Sequence, residues 1–189
     1  MLLQFNFKNF KSFRDETTLD LTATKISEYS NHVISIGNEK ILPIAAIFGA
    51  NASGKSNVQE AFRYMTIYVV SSFGYGGDES GKKGKSEFLK PTPFLLDHSS
   101  KDVESSFEVY FISSEENGAK SYNYGFTVGP NGINEEWLNY KSKSSRGDYK
   151  RIFYRNGKNL DLSGVAPKSR ENIKIALEKE TLIVSLGAK

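Results

Sequence analysis

One glycine-rich octapeptide constrains this chain more than any other feature of its 189 residues. It reads Gly49-Ala50-Asn51-Ala52-Ser53-Gly54-Lys55-Ser56 and fits G-x-x-x-x-G-K-[ST], the phosphate-binding P-loop. Gly49 and Gly54 let the backbone turn where a Cβ atom would clash, so that successive amides can face one anion. A helix that begins here adds unpaired amides and the positive end of its dipole. The pattern predicts that Lys55 reaches the β- and γ-phosphates as a catalytic cation and that the Ser56 hydroxyl holds Mg²⁺.

The residues on either side of the loop predict the strand and the helix that a P-loop requires. Residues 41–48 are a short apolar run, which is typical of a buried strand. After the loop, apolar residues recur at helical spacing and predict one buried helix face, made by Val58, Ala61, Phe62, Met65 and Val69. A glycine- and serine-rich turn with an incidental lysine is the alternative interpretation. The order of strand, loop and helix argues against that alternative.

The composition limits the classes of function. A net charge of +3 from 25 basic and 22 acidic residues is too balanced to indicate nucleic-acid binding by itself. The absence of cysteine excludes disulfides, thiolate chemistry and cysteine–metal sites. His32 and His98 stand alone, so we expect surface or structural roles for them rather than metal binding. The apolar stretches are about half as long as a membrane helix requires, and Met1 to Phe5 lacks the order of a signal peptide. We therefore expect a cytoplasmic protein with no membrane partner.

Most of the remaining chain predicts β-structure. Residues 2–10 alternate, with Leu3, Phe5 and Phe7 on one side, and Thr17–Leu21 should pair back antiparallel. From about 103 to 156 the apolar pattern has period two and is interrupted by glycine-containing turns, which predicts an antiparallel meander.

Two further segments carry no regular strand pattern. Residues from about 71 to 93 are rich in glycine and lysine and predict a mobile loop, with nucleic-acid contact as the less favoured alternative to a solvated one. Residues 168–180 are compatible with a helix. The apolar run from Thr181 to Leu186 comes immediately before the end, so we expect the chain to be part of a longer protein.

Two sequence motifs carry a resemblance to a known family. They are Phe7-Lys8-Asn9-Phe10-Lys11-Ser12-Phe13 and Ile47-Phe48-Gly49-Ala50-Asn51-Ala52-Ser53-Gly54-Lys55-Ser56-Asn57. Weaker support comes from Pro93-Phe94-Leu95-Leu96 and Glu135-Glu136-Trp137-Leu138. The chain resembles the N-terminal lobe of ABC-type ATPase heads of the SMC, RecF and OLD-nuclease kind. Within that group it is most similar to the AAA-family ATP-binding proteins of bacterial abortive-infection, or phage-defence, systems.

The resemblance implies a fold, cofactors and partners. It implies an α/β P-loop NTPase, in which residues 1–189 form an ABC-ATPase-like N-lobe with a P-loop strand and helix plus the antiparallel meander. The implied cofactors are ATP and Mg²⁺, and the implied partners are a second copy, through the complete head, and a nuclease or toxin protein. Asn57 follows the P-loop serine as in many such heads. Lys11 holds the place of a basic residue that approaches the phosphates, while a plain surface lysine is the equal alternative.

Departures from the family pattern limit the expected activity. Ala52 stands where ABC heads usually have glycine, and neither a Q-loop glutamine nor a Walker B strand can be placed. Leu162-Ser163-Gly164 hints at a signature motif, but the residues after it break the pattern and we interpret it as a turn. We therefore expect this segment to bind ATP–Mg²⁺ with little or no turnover, hydrolysis belonging to the full-length protein. A small-molecule kinase is disfavoured by the antiparallel meander, and a non-catalytic, nucleotide-gated interaction module remains the alternative.

Overall fold

The computed structural model describes residues 1–25, 28–75, 89–115, 118–142 and 148–187. The strands are β1 Leu2–Lys8, β2 Thr17–Asp20, β3 Ile34–Ile36, β4 Glu39–Ile41, β5 Ser105–Glu115, β6 Gly118–Gly129, β7 Gly132–Ser142, β8 Lys150–Asn156 and β9 Asn159–Asp161. The helices are α1 Lys55–Tyr75, α2 Pro167–Ala176 and α3 Ile183–Leu186, with 3₁₀ turns at Ser30–His32 and His98–Ser100. No helix within these ranges is long and apolar enough to span a lipid bilayer.

A seven-stranded antiparallel sheet dominates the described part of the chain. Its strand order is β2-β1-β5-β6-β7-β8-β9, and every neighbouring pair is antiparallel. The predicted meander is therefore present from β5 to β8, and the predicted pairing of β1 with the following strand is confirmed by Phe5 opposite Leu19. The period-two pattern is clearest in β5, where the buried Ser105, Phe107 and Val109 alternate with less buried residues.

Helix α1 lies across one face of this sheet and closes the core. Its buried side chains are Val58, Ala61, Met65, Tyr68 and Ser72. The sheet contributes a stack of aromatic rings, in which Tyr64 and Tyr68 of α1 contact Phe107 and Phe126 at centroid distances of 4.9 and 5.2 Å. The buried helix face is therefore rotated from the predicted one, since Phe62 is 40% exposed.

The first strand departs from simple alternation. Its register with β5 shifts between Leu2 and Gln4, which is the signature of a β-bulge. Because of the shift, Leu3 packs with Ile41 and Ile112 in a second small cluster, whereas Phe5 belongs to the main core. The prediction that Leu3 shares a face with Phe5 and Phe7 is wrong for this reason.

The run before the P-loop also differs from its prediction. Ile41 ends the short strand β4, which pairs with β3 and makes a single bridge to Thr22, and residues 42–48 form no strand. Ile44 is 80% exposed and Phe48 is 90% exposed. A fully buried strand needs neighbours on both sides, and the described sheet offers this segment no such position. The one hydrogen bond that anchors its start runs from the Leu42 amide to the Leu21 carbonyl, at 2.8 Å.

The predicted mobile loop falls mainly on residues 76–88, which lie outside the described residues. At its start, residues 71–75 continue α1 instead of leaving it. At its end, Leu89 is only 3% exposed and packs into the core.

Candidate phosphate-binding site

The P-loop lies between the exposed segment 43–48 and the first turn of α1, and its backbone has the shape that its glycines allow. Gly54 has a φ of 92°, a left-handed conformation that disfavours side chains. A Cβ atom on Gly54 would lie 2.8 Å from the Ser12 hydroxyl oxygen, and one on Gly49 would lie 2.8 Å from that of Ser53. Glycine is thus required at position 54 by backbone conformation, whereas at Gly49 the contact is with a side chain that can rotate. Ala52 has a φ of 63°, which explains why glycine suits this position in related loops.

The loop's amides are available to a ligand. Within the loop, only the Ser53 amide donates a hydrogen bond, to the Ala50 carbonyl at 3.3 Å. The amides of residues 50–52 and 54–56 donate none to any part of the chain that the structure describes. The last of these amides belong to the N-terminus of the 21-residue helix α1. Unpaired amides at a helix N-terminus form a ready anion site.

Lys55 bends back over this loop. Its ammonium group donates to the carbonyl oxygens of Gly49, at 2.8 Å, and Ala50, at 2.6 Å. The cation therefore sits at the mouth of the loop, beside the free amides, while holding the two ends of the turn together. The Ser56 side chain is exposed and makes no hydrogen bond to the described residues, so its hydroxyl is free to bind a cation.

The turn after β1 packs directly against the P-loop. Ser12 accepts a hydrogen bond from the Asn57 amide group at 2.8 Å, and the Phe13 ring would lie 3.1 Å from a Cβ atom on Gly54. Asn57 is therefore committed to the turn in this structure. Ser12 belongs to the family motif, but the sequence analysis predicted no site role for it. Its contact with Asn57 could not be predicted from the sequence pattern, because the two residues lie far apart along the chain.

Asn9 fixes this turn to the body of the protein. Its side chain is 1% exposed, and its amide group donates to the carbonyl oxygens of Ser100 and Val103 at 2.9 and 2.8 Å. Its side-chain oxygen accepts from the Phe94 amide at 3.0 Å. Asn9 also adopts a φ of 51°, which asparagine tolerates better than most residues. Asn9 thus has a structural role in the motif.

Lys11 points to α1 and not into the P-loop. Its ammonium group forms an ion pair with the Glu60 carboxylate, one and a half turns into the helix. Its backbone amide donates to the Thr92 carbonyl at 2.8 Å. Lys11 therefore lies beside Ser12, which contacts the P-loop, but its ammonium group is paired with the Glu60 carboxylate. No sequence signal singled out Glu60.

The described residues contain no group of three or more histidine, cysteine, aspartate or glutamate side chains that could hold a metal. His32 is exposed and contacts the ring of Tyr29, and His98 lies in a 3₁₀ turn. Within the described ranges, the exposed Ser56 hydroxyl is a P-loop oxygen group that no other residue engages.

Comparison with known proteins identifies a family. The profile of a protein family described as "AAA domain, putative AbiEii toxin, Type IV TA system" matches residues 44–175, which is more than half of the chain. The matched region begins in the exposed segment before the P-loop and ends within α2. No curated protein matches the sequence.

Proposed function

Because this chain belongs to the AAA-domain family described with the AbiEii toxin of type IV toxin–antitoxin systems, an ABC- and OLD-like family of P-loop ATPases, we propose that it is the ATP-binding half of an ABC-type ATPase head. The observation that carries the proposal is the loop of residues 49–56, whose free amides, left-handed Gly54 and capping lysine converge at the start of α1. This arrangement suits the phosphates of a nucleotide.

Each site residue has a separate role in this proposal. The free amides of residues 50–52, Gly54 and Lys55 would donate to phosphate oxygens of the nucleotide, and the Lys55 ammonium group would exchange its two carbonyl partners for phosphate oxygens. The Ser56 hydroxyl would hold Mg²⁺, which would supply positive charge that neutralises the phosphates. Asn57 keeps its hydrogen bond to Ser12 and so holds the turn against the loop. Lys11 reaches the phosphates only if it leaves Glu60.

The rest of the head would cover apolar surface that this chain leaves exposed. Ile44 and Phe48 precede the loop, and Phe62 and Val70 lie on α1; they are between 40 and 90% exposed, although the Phe62 ring also contacts Phe5 of β1. A helix with apolar side chains on both faces is typical of the middle of a layered fold. We propose that residues 42–48 become the P-loop strand when the second lobe adds neighbouring strands. That lobe would also supply the signature motif and the catalytic glutamate.

The experiment is a denaturation series with nucleotide. ATP with Mg²⁺ should raise the free energy of unfolding by mass action, by about 2.7 kcal/mol at a ligand concentration of about 100 Kd, and the unfolding midpoint should rise with it. Lys55→Ala should abolish the increase, and Ser56→Ala should abolish only the difference between ATP with Mg²⁺ and ATP with a chelator. Lys168→Ala, an equal loss of charge on α2, is the matched control and should keep the full increase.

Two results would overturn the proposal. One is an ATP-dependent increase that survives Lys55→Ala, because the nucleotide would then bind elsewhere. The other is steady ATP hydrolysis by these 189 residues that Lys55→Ala abolishes, because the chain would then be a complete ATPase and not half of one.

A non-catalytic module that recruits a partner is the second candidate. The family description favours it, since it names a toxin–antitoxin system, which consists of two partner proteins. Under this proposal the ATP-bound chain captures a nuclease or toxin protein, or a second copy of the head, without turnover. Co-purification that needs both a non-hydrolysable ATP analogue and an intact Lys55 would support it, whereas capture unaffected by Lys55→Ala would contradict it.

A further inference from the structure

A cavity of about 350 Å³ lies beside α1, on the side of the helix that faces the turn after β1. Its walls come from three segments: the second to fourth turns of α1, residues 10–11 of the turn, and residues 89–92. The volume is within the range of small-molecule sites. The P-loop does not line this cavity; Lys11 is the residue that brings the two places close together.

Aromatic rings line the inner part of the cavity. Phe10 and Tyr68 are 3% and 1% exposed, and Tyr64 lies between them, with ring centroids 5.5 and 5.8 Å away. The Tyr64 hydroxyl is already used, because it donates to the Leu89 carbonyl. Burial raises the pKa of both tyrosines, so neither carries negative charge at neutral pH. The cavity therefore offers flat apolar surface with no phenolate.

Cations outnumber anions around the cavity. Lys11, Arg63 and Lys90 line it with one carboxylate, that of Glu60, which is paired with Lys11. Arg63 and Lys90 have no ion pair and no side-chain hydrogen bond within the described ranges of the chain. Two unpaired cations next to buried aromatic rings are suited to one ligand that has both a planar ring and an anionic group. A guanidinium group contributes to both, since it stacks on rings and binds phosphate in a bidentate manner.

We propose that this cavity is a second ligand site, for a planar aromatic molecule that carries one phosphate, of the size and chemistry of a nucleoside monophosphate. The ring packs against the half-buried Tyr64, and the phosphate accepts hydrogen bonds from Arg63 and Lys90. Nothing in this arrangement depends on nucleotide in the P-loop, because the lining residues other than Lys11 play no part in the phosphate-binding loop.

The test is calorimetric titration with AMP of the Lys55→Ala chain, in which the P-loop lysine is absent. We expect saturable binding that weakens at least about tenfold, or about 1.4 kcal/mol, on adding Arg63→Ala. Arg63→Lys should restore part of the affinity, and Lys168→Ala should change nothing. Adenosine and inorganic phosphate, which each carry half of the ligand, should bind at least about tenfold more weakly than AMP.

Amide chemical shifts locate the ligand. AMP should shift the amides of Arg63, Tyr64 and Thr92 and leave those of residues 49–56 unmoved in the Lys55→Ala chain. The proposal is overturned if AMP fails to bind this chain, if Arg63→Ala leaves the affinity unchanged, or if the shifted amides are those of the P-loop. Arg63 is exposed, so its substitution should not unfold the protein. The proposed ATP site is tested separately, by measuring whether ATP raises the unfolding midpoint of the unmodified chain.

Discussion

Glu136 is a fully buried carboxyl group, and its environment allows a pH effect to be worked out. It lies on β7 with 0% exposure, and its two oxygens accept hydrogen bonds from the first two amides of α3, Ile183 at 2.8 Å and Val184 at 3.3 Å. The Tyr124 hydroxyl donates a third hydrogen bond at 3.2 Å. This side chain therefore connects the sheet to the segment that follows α2.

Burial raises the pKa of Glu136 from 4.5 to about 7, although the backbone hydrogen bonds and the nearby Arg155 act in the opposite direction. Because the pKa is higher in the folded state, folding favours the protonated form. The stability that this contributes is fully present below a pH of about 4.5 and is lost as the pH rises through about 7. A difference of about 2.5 pKa units, at about 1.4 kcal/mol each, corresponds to about 3 kcal/mol.

Glu136→Gln is the perturbation that isolates this effect. Glutamine is neutral like the protonated acid, and its carbonyl oxygen can accept from the Ile183 amide while its amino group donates to the Tyr124 hydroxyl oxygen, with loss of the longer hydrogen bond from Val184. Between pH 5 and pH 8.5 the free energy of unfolding of the original chain should fall by about 2.5 kcal/mol more than that of the variant. Urea denaturation at the two pH values measures both.

Glu135→Gln is the matched control, because it makes the same chemical change one residue earlier on β7. Glu135 accepts hydrogen bonds from Tyr154 and Asn156, not from α3. Parallel pH profiles for the original chain and Glu136→Gln would refute the reasoning, and so would equal effects of the two substitutions. In either case burial would not govern the protonation of Glu136.

Further substitutions test packing, and urea denaturation measures each of them. Asn9→Ala removes the four hydrogen-bond contacts of a buried side chain and should lower the free energy of unfolding by about 3 kcal/mol; a loss below about 1 kcal/mol would show that water replaces them. Gly125→Ala should cost about 2 kcal/mol or more, since its Cβ would lie 2.3 Å from the Trp137 ring. Gly74→Ala is the counterpart in open space within α1 and should stabilise by about 0.5–1 kcal/mol; equal effects at the two glycines would contradict the packing argument.

The sequence pattern predicted the structure correctly for segments that pair with a neighbouring segment in the sequence. The meander strands pair with their neighbours in sequence, so alternation and turn residues predicted them. The glycine pattern of the P-loop likewise predicted the bend, in which Gly54 adopts a left-handed conformation. The turn that packs against Gly54 comes from Ser12 and Phe13, far away in the sequence, and the glycine pattern did not predict it.

Prediction failed where burial depends on distant partners. The run before the P-loop is apolar enough for a buried strand, yet Ile44 and Phe48 are exposed because no described strand lies beside them. The bulge in β1 shifts its register by an amount that no alternation of residue types reveals, and it separates Leu3 from Phe5. The pairing of Lys11 with Glu60 depends on how the turn meets α1, which the separate patterns of the two segments do not encode.

The P-loop is held unequally on its two sides, and this has a consequence for ligand binding. On the side of α1, Ser12 contacts Gly54 and bonds Asn57, and Asn9 ties that turn to the core. On the other side, Lys55 is the group that bonds the carbonyls at the start of the loop. A phosphate that draws Lys55 away would free this start while leaving the rest in place. In the proposed function, nucleotide binding and the pairing of residues 42–48 with a second lobe are therefore energetically coupled, each favouring the other.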